Sequence, residues 1–188
     1  MAHLLQAWLP ILASAIGVFV ASSLIHMVFK WHDSDYRALA NEADVAAAIR
    51  AGSPAPGQYV IPHCPGMKDV ASEATQAKFR EGPVGFITLR PNGPPGMGRA
   101  LGLWFAFTLL VAAISGAIPL QIYGLAGDHH SVAHLAALVT LLTYAGGSIQ
   151  QGIWMGKPWR SVAKDLLDAF IFAVVTAFAF ASLWPQTV

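Results

Sequence analysis

Four residues with metal-ligating side chains lie close together between two long apolar stretches of the sequence. They are Asp128, His129, His130 and His134. On a helix, His130 and His134 share one face, because side chains four residues apart lie one above the other. Paired imidazoles with a nearby carboxylate suit zinc, copper or iron. The pattern therefore suggests a metal- or haem-binding membrane redox protein.

The same cluster has an ordinary structural interpretation. Asp128 is well placed to cap the apolar helix that follows it, and histidine suits a wet interface because its ring has an apolar body and a polar tip. Cofactor sites in helical bundles are built from facing helices, and the sequence shows no facing pair of histidines near mid-membrane. We therefore expect no cofactor, with a transition metal or haem at the outer histidines as the alternative.

A second candidate is Asp168, at the start of an apolar stretch. An ionisable residue inside a bilayer is a functional candidate and needs a partner, and Lys164 is the predicted partner at a spacing of four. The alternative is a boundary carboxylate that the helix dipole favours. With Tyr144, Gln150 and Gln151 of the preceding stretch, Asp168 could line a path through a small oligomeric transporter or channel, although such groups also hydrogen-bond between helices.

A short basic turn precedes Asp168. Lys157, Trp159 and Arg160 combine positive charge with an aromatic ring, the chemistry of a contact with anionic lipid headgroups. The sequence predicts an interface anchor at this turn.

Catalytic patterns are scarce. Cys64 follows His63, but adjacent residues in an extended segment point to opposite sides, so the pair is badly placed for a dyad. The sequence contains no Walker-type phosphate loop, His-Glu-x-x-His, Gly-x-Ser-x-Gly or Cys-x-x-Cys. A non-enzymatic protein is favoured.

Long apolar stretches must position all these residues. The chain has 188 residues, of which 55% are hydrophobic and 11% charged, against about 25% charged in soluble domains. About 20 apolar residues cross a bilayer, and they must be helical because lipid offers the backbone no partner. We predict an all-α membrane protein, a four-helix transmembrane bundle with spans at about residues 5–29, 101–123, 132–154 and 164–184.

A polar insert separates the first two spans. The predicted division is 1–29 for the first transmembrane helix, 30–99 for the insert and 100–188 for transmembrane helices 2 to 4. Within the insert, capping patterns predict helices from Asn41 to Gly52 and over 69–81. Residues 58–61 and 85–89 are β-branched and aromatic, which predicts two short strands that pair. The insert is therefore expected to be a small cytoplasmic α/β unit.

Positive charge predicts the orientation. All eleven Lys and Arg residues fall within 30–99 or 157–164. The positive-inside rule then places residues 30–99 and 156–164 in the cytoplasm and both termini outside. The first apolar stretch lacks a positive n-region and is too long for a signal peptide, so we expect it to be retained as a span.

Small residues recur every four positions in the last span, at Ala169, Ala173, Ala177 and Ala181. This spacing lets helices approach closely in lipid, either within the chain or between chains. The leading functional hypothesis is a bacterial inner-membrane protein with an accessory or oligomer-forming role. Its expected partners are the lipid bilayer and either itself or another membrane protein. Nucleic acid is not expected, because the net charge is +1 and basic runs are lacking.

Overall fold

A computed structural model describes residues 5–185, and this part of the chain is mostly helical. The elements are α1 (Trp8–Leu24), a π-helical turn (Ile25–Phe29), a 3₁₀ turn (Asp33–Asp35), α2 (Glu42–Ala51), β1 (Gly57–Ile61), α3 (Met67–Val70), α4 (Glu73–Glu81), β2 (Gly85–Leu89), α5 (Met97–Tyr123), α6 (His129–Trp154) and α7 (Trp159–Leu183).

Four helices are long and apolar enough to cross a membrane: Trp8–Phe29, α5, α6 and α7. These correspond to the four predicted spans, as expected of a multi-pass membrane protein. The main difference is the start of α7 at Trp159 rather than near residue 164. Hydropathy marks where a span becomes apolar, whereas the helix itself begins directly after Pro158, whose carbonyl accepts the first helical hydrogen bonds.

Each of the four long helices packs against two neighbours, in the order α1–α5–α6–α7 and back to α1. Of the four alanines predicted to share a face of α7, Ala169 and Ala173 are buried, Ala177 is partly buried and Ala181 is exposed. On α1, a Cβ at Gly17 would lie 2.6 Å from Val175 Cγ1. Close approach between helices therefore uses small residues within the chain.

Large apolar side chains remain exposed along the outside of the long helices. Leu142, Phe170 and Phe178 are 64%, 58% and 74% exposed. Exposed apolar patches on this scale mark a membrane or protein contact. On helices of this length and hydropathy, they suggest contact with lipid.

Residues 37–95 form a second compact unit. Its strands pair antiparallel, with Gly57 opposite Leu89 and Ile61 opposite Gly85, so the predicted strands and their pairing are confirmed. The helix predicted over 69–81 is instead two helices. Ser72 interrupts it, because its side chain accepts a hydrogen bond from the backbone of Thr75 and starts α4 as a new helix.

The chain between α1 and this unit belongs with the long helices. Contacts group everything up to Tyr36 with α5, α6 and α7. The short segment from residue 30 to 36, which the sequence analysis assigned to the insert, therefore lies in the helical unit.

Candidate functional site

A cavity of about 710 Å³ lies at one end of the helical unit. At this end α1 and α6 finish and α5 and α7 begin, and the basic turn joins α6 to α7. Most of the charged side chains that line the cavity are acidic. The acids are Asp33, Asp35, Asp165 and Asp168, and they are joined by the basic side chain of Lys157.

The chain enters the site through an irregular end of the first span. In the π-helical turn Ile25–Phe29, the N–H of Lys30 donates to the carbonyl of Ile25 at 2.8 Å. Lys30 has a φ of 54°, in the left-handed region that ends helices and that non-glycine residues rarely adopt. The residues that follow fold back onto α7. Such π-turns are frequent at functional sites.

Asp168 lies on α7 and is only 6% exposed. Trp31 Nε1 donates to its Oδ1 at 3.1 Å, and His32 Nε2 lies 2.9 Å from its Oδ2. A buried carboxylate is costly unless it is paired and hydrogen-bonded. These two contacts take the place of the predicted pairing with Lys164, and they tie the segment after α1 to α7.

Asp35 contacts the other ring nitrogen of the same imidazole. His32 Nδ1 lies 2.8 Å from Asp35 Oδ2, while Lys164 Nζ and Ser161 Oγ donate to Oδ1 at 2.6 and 2.9 Å. The Lys164 ammonium lowers the pKa of Asp35. Burial raises this pKa, but the hydrogen bonds with His32 and Ser161 lower it further, and the net result is a fall from 3.8 to about 2. Asp35 is therefore ionised at physiological pH.

The basic turn contributes a second ion pair. Lys157 Nζ bonds to the carboxylate of Asp165, which also accepts a hydrogen bond from Ser148 of α6. Lys157 thus bonds within the chain, although it was predicted to contact headgroups. Trp159 and Arg160 are exposed at the start of α7, as the predicted headgroup contact requires.

Part of the cavity wall is aromatic, with neighbouring ring centroids 5.1 to 6.5 Å apart. Its members are Trp104, Phe107, Tyr144 and Phe172. The Tyr144 hydroxyl is buried without a hydrogen-bond partner among residues 5–185. Of the other polar residues predicted to line a path, Gln151 lines the cavity and Gln150 is exposed.

Three potential metal ligands meet at the cavity. One ligand atom each from His26, His32 and Asp168 lies within 4.8 Å of the other two, and the two imidazole centroids are 4.9 Å apart. Spacing along the sequence does not predict this set, because Asp168 lies far along the chain from the histidines. The available signals were a carboxylate in an apolar stretch, which needs a partner, and two histidines at the same predicted membrane face.

The predicted outer site lies at the opposite end of α6. Asp128 Oδ2 accepts a hydrogen bond from the backbone of Ser131 at 2.9 Å, which caps the helix and lowers the pKa of the carboxyl. His129 Nδ1 donates to a carbonyl of α7 at 2.8 Å. The rings of His130 and His134 meet edge-on, with centroids 4.1 Å apart. The shared helical face is confirmed, while metal binding there stays a prediction.

We compared the chain with known proteins. No protein-family model matches it, and neither the search of curated proteins nor that of solved structures found a match.

Proposed function

We propose that this membrane protein binds a small cation in the acidic cavity of its helical unit. The observation that carries the proposal is Asp168, a carboxylate buried on an apolar helix and in contact with the cavity. Ionisable groups in such positions are costly, and they mark ion and substrate pathways. Four aspartates and one lysine line the cavity. Lysines pair with two of these aspartates, Asp35 and Asp165, so the acidic excess rests on Asp33 and Asp168. An excess of one sign of charge in a cleft concentrates ions of the opposite sign.

The proposed orientation places the cavity on the cytoplasmic side of a bacterial inner membrane. Its support is the distribution of Lys and Arg, all of which fall within residues 30–99 or 157–164. On this proposal both termini and the outer histidines face away from the cytoplasm.

An accessory or oligomer-forming role stays a prediction. The small residues that suggested it contact other helices of the same chain, as Ala169, Ala173 and Gly17 do. The small-transporter alternative has a specific observation in its favour, because Asp168, Tyr144 and Gln151 all line the cavity. Cation binding is the step that a transporter would share with a sensor or an accessory subunit.

The test is thermal unfolding of the full chain in mild detergent. Sodium, potassium, magnesium, calcium and zinc chlorides are titrated separately at constant ionic strength. At least one cation should raise the unfolding temperature, and the stabilisation should grow logarithmically with its concentration, reaching about 2.7 kcal/mol when that concentration is 100 times its Kd. Asp168→Asn removes the charge but keeps the shape, and it should lose the cation-dependent rise.

The matched control is Asp128→Asn, which removes one carboxylate from the opposite end of the helical unit. It should respond to the cation as the unchanged protein does. If no cation stabilises the protein, or if Asp168→Asn is stabilised equally, the proposal is wrong.

A further inference from the structure

We infer that the cation is a divalent transition metal, with zinc as the best fit, bound by His26, His32 and Asp168. The inference rests on the proposed cation binding and names the chemical class of the ion. Two imidazoles and one carboxylate are a common protein ligand set for zinc, leaving a fourth position for water or another ligand. Magnesium and calcium prefer oxygen ligands alone, so the two histidines favour a transition metal.

The distances are close to those of a metal centre. Ligand atoms about 2.0–2.1 Å from a tetrahedral zinc lie about 3.3 Å from each other. His32 Nε2 and Asp168 Oδ2 are 2.9 Å apart, so these two need almost no adjustment. The full set lies within 4.8 Å, and the third ligand, His26, is an exposed side chain on the π-helical turn.

The ring of His32 lies between two carboxylates. Its Nδ1 faces Asp35 and its Nε2 faces Asp168, at 2.8 and 2.9 Å. The other oxygen of Asp35 accepts hydrogen bonds from Lys164 and Ser161, so Asp35 is held beside Nδ1 and Nε2 is the ring nitrogen that faces Asp168. A metal ion can then bind to Nε2 and to the Asp168 carboxylate together.

Asp35 also resembles the supporting carboxylate of known metal centres. Metal-bound histidines usually donate their second ring N–H to a carboxylate, which fixes the tautomer and raises the basicity of the ligand. Here Asp35 contacts His32 Nδ1, and its own position is held by Lys164 and Ser161. Beside the outer pair, Asp128 instead accepts a hydrogen bond from the backbone of Ser131.

The experiment measures zinc binding to the purified full chain by competition with a chromophoric chelator. We expect one zinc per chain and the loss of that binding in His26→Ala, His32→Ala and Asp168→Asn. Asp35→Asn should keep the stoichiometry and weaken affinity about 10- to 100-fold. Cobalt supplies a second readout, because coordination by nitrogen and oxygen ligands gives visible absorption that the same variants should abolish.

His134→Ala is the matched control for loss of an imidazole, and it should bind zinc unchanged. His26→Ala is the deciding variant, because His26 is exposed and its removal does not threaten folding. If the inner variants still bind zinc while His134→Ala does not, the metal belongs to the outer histidines and the inference is wrong.

Failure of the inference is distinguishable from failure of cation binding. If Asp168→Asn abolishes cation-dependent stabilisation while His26→Ala and His32→Ala leave it unchanged, the ion is a hard cation held by oxygen. The metal assignment then falls and the proposed function stands. If no cation, zinc included, binds the unchanged protein, both are overturned.

Discussion

Neighbouring groups, rather than position on a helix, decide what each aspartate in this protein does. Asp128 directly precedes α6, where the dipole favours a carboxylate, whereas Asp168 lies more than two turns inside α7. Asp128 bonds to the backbone of its own helix and is exposed. Asp168 is buried and bonds to Trp31 and His32, which precede it by most of the chain. The first is a cap, whereas the second joins two parts of the fold.

The cap predicts a pH-dependent difference between two substitutions. The Ser131 backbone N–H lowers the pKa of Asp128 below its usual 3.8. The charged form therefore contributes stability above about pH 4, and this contribution is lost as the pH falls through the lowered pKa. Asp128→Ala should unfold at a lower temperature than the unchanged protein at neutral pH, since alanine cannot cap.

Asp128→Asn is the control for this prediction, because asparagine caps about as well as aspartate and has no titratable proton. Thermal unfolding from about pH 3 to 7 should show the unchanged protein losing stability relative to Asp128→Asn on the acid side. A constant difference between the two across that range would contradict the assigned role of the carboxylate.

At the scale of elements, the helical unit is held together by small residues at helix contacts. Gly17 of α1 faces Val175 of α7, with no room for a methyl group. Gly116 of α5 faces Phe180 in the same way, at 3.1 Å from a built Cβ. Without a hydrophobic driving force between helices in lipid, close van der Waals packing of this kind supplies much of the attraction.

Gly17→Ala should therefore separate α1 from α7. The new methyl group would lie 2.6 Å from Val175 Cγ1, on a short β-branched side chain that cannot swing away. Overpacking of this kind costs about 1–3 kcal/mol. The measurement is unfolding in mild detergent, and Val175→Ala combined with Gly17→Ala should recover part of the loss.

The control substitution is Gly146→Ala on α6. A Cβ there meets nothing within 4 Å, and alanine favours a helix over glycine by about 1 kcal/mol. It should leave stability unchanged or raise it. Equal losses at Gly17 and Gly146 would mean that glycine matters for a reason other than close packing.

At the scale of the whole molecule, the orientation in the membrane decides which compartment would supply the proposed cation. The hydropathy of the four long helices indicates four crossings of the membrane. An even number of crossings puts both termini on one side. Positive charge then favours one of the two orientations. On the proposed orientation the cavity is loaded from the cytoplasm.

The single cysteine makes the orientation testable. Cys64 lies in the unit of residues 37–95 and is partly buried. In spheroplasts, a membrane-impermeant maleimide should label Cys64 only after the membrane is broken. The comparison protein carries Cys64→Ser with Ala126→Cys, which moves the thiol to the exposed link between α5 and α6, and it should label while the membrane is intact. The reverse labelling pattern would indicate the opposite orientation in the membrane.

The sequence by itself determined the four long helices and the two strands of this protein. The long apolar runs must be helical because a bilayer leaves the backbone no other partner. Local patterns were enough for the paired strands over 58–61 and 85–89, and for the cap at Asp128. The start of α7 was misplaced because hydropathy does not register the first helical turns, which are polar. The apolar runs, the strands and the cap depend on residues close together in the sequence, so a linear pattern contains them.

Only the tertiary structure decided which residues form the site. His32, Asp35 and Asp168 meet because a π-helical turn and a left-handed Lys30 fold the chain back onto α7. Lys164 bonds to Asp35, although its spacing on the helix predicted a pairing with Asp168. Contacts between distant segments depend on where the backbone reverses and which side chains then face one another. Spacing along the chain does not encode that information.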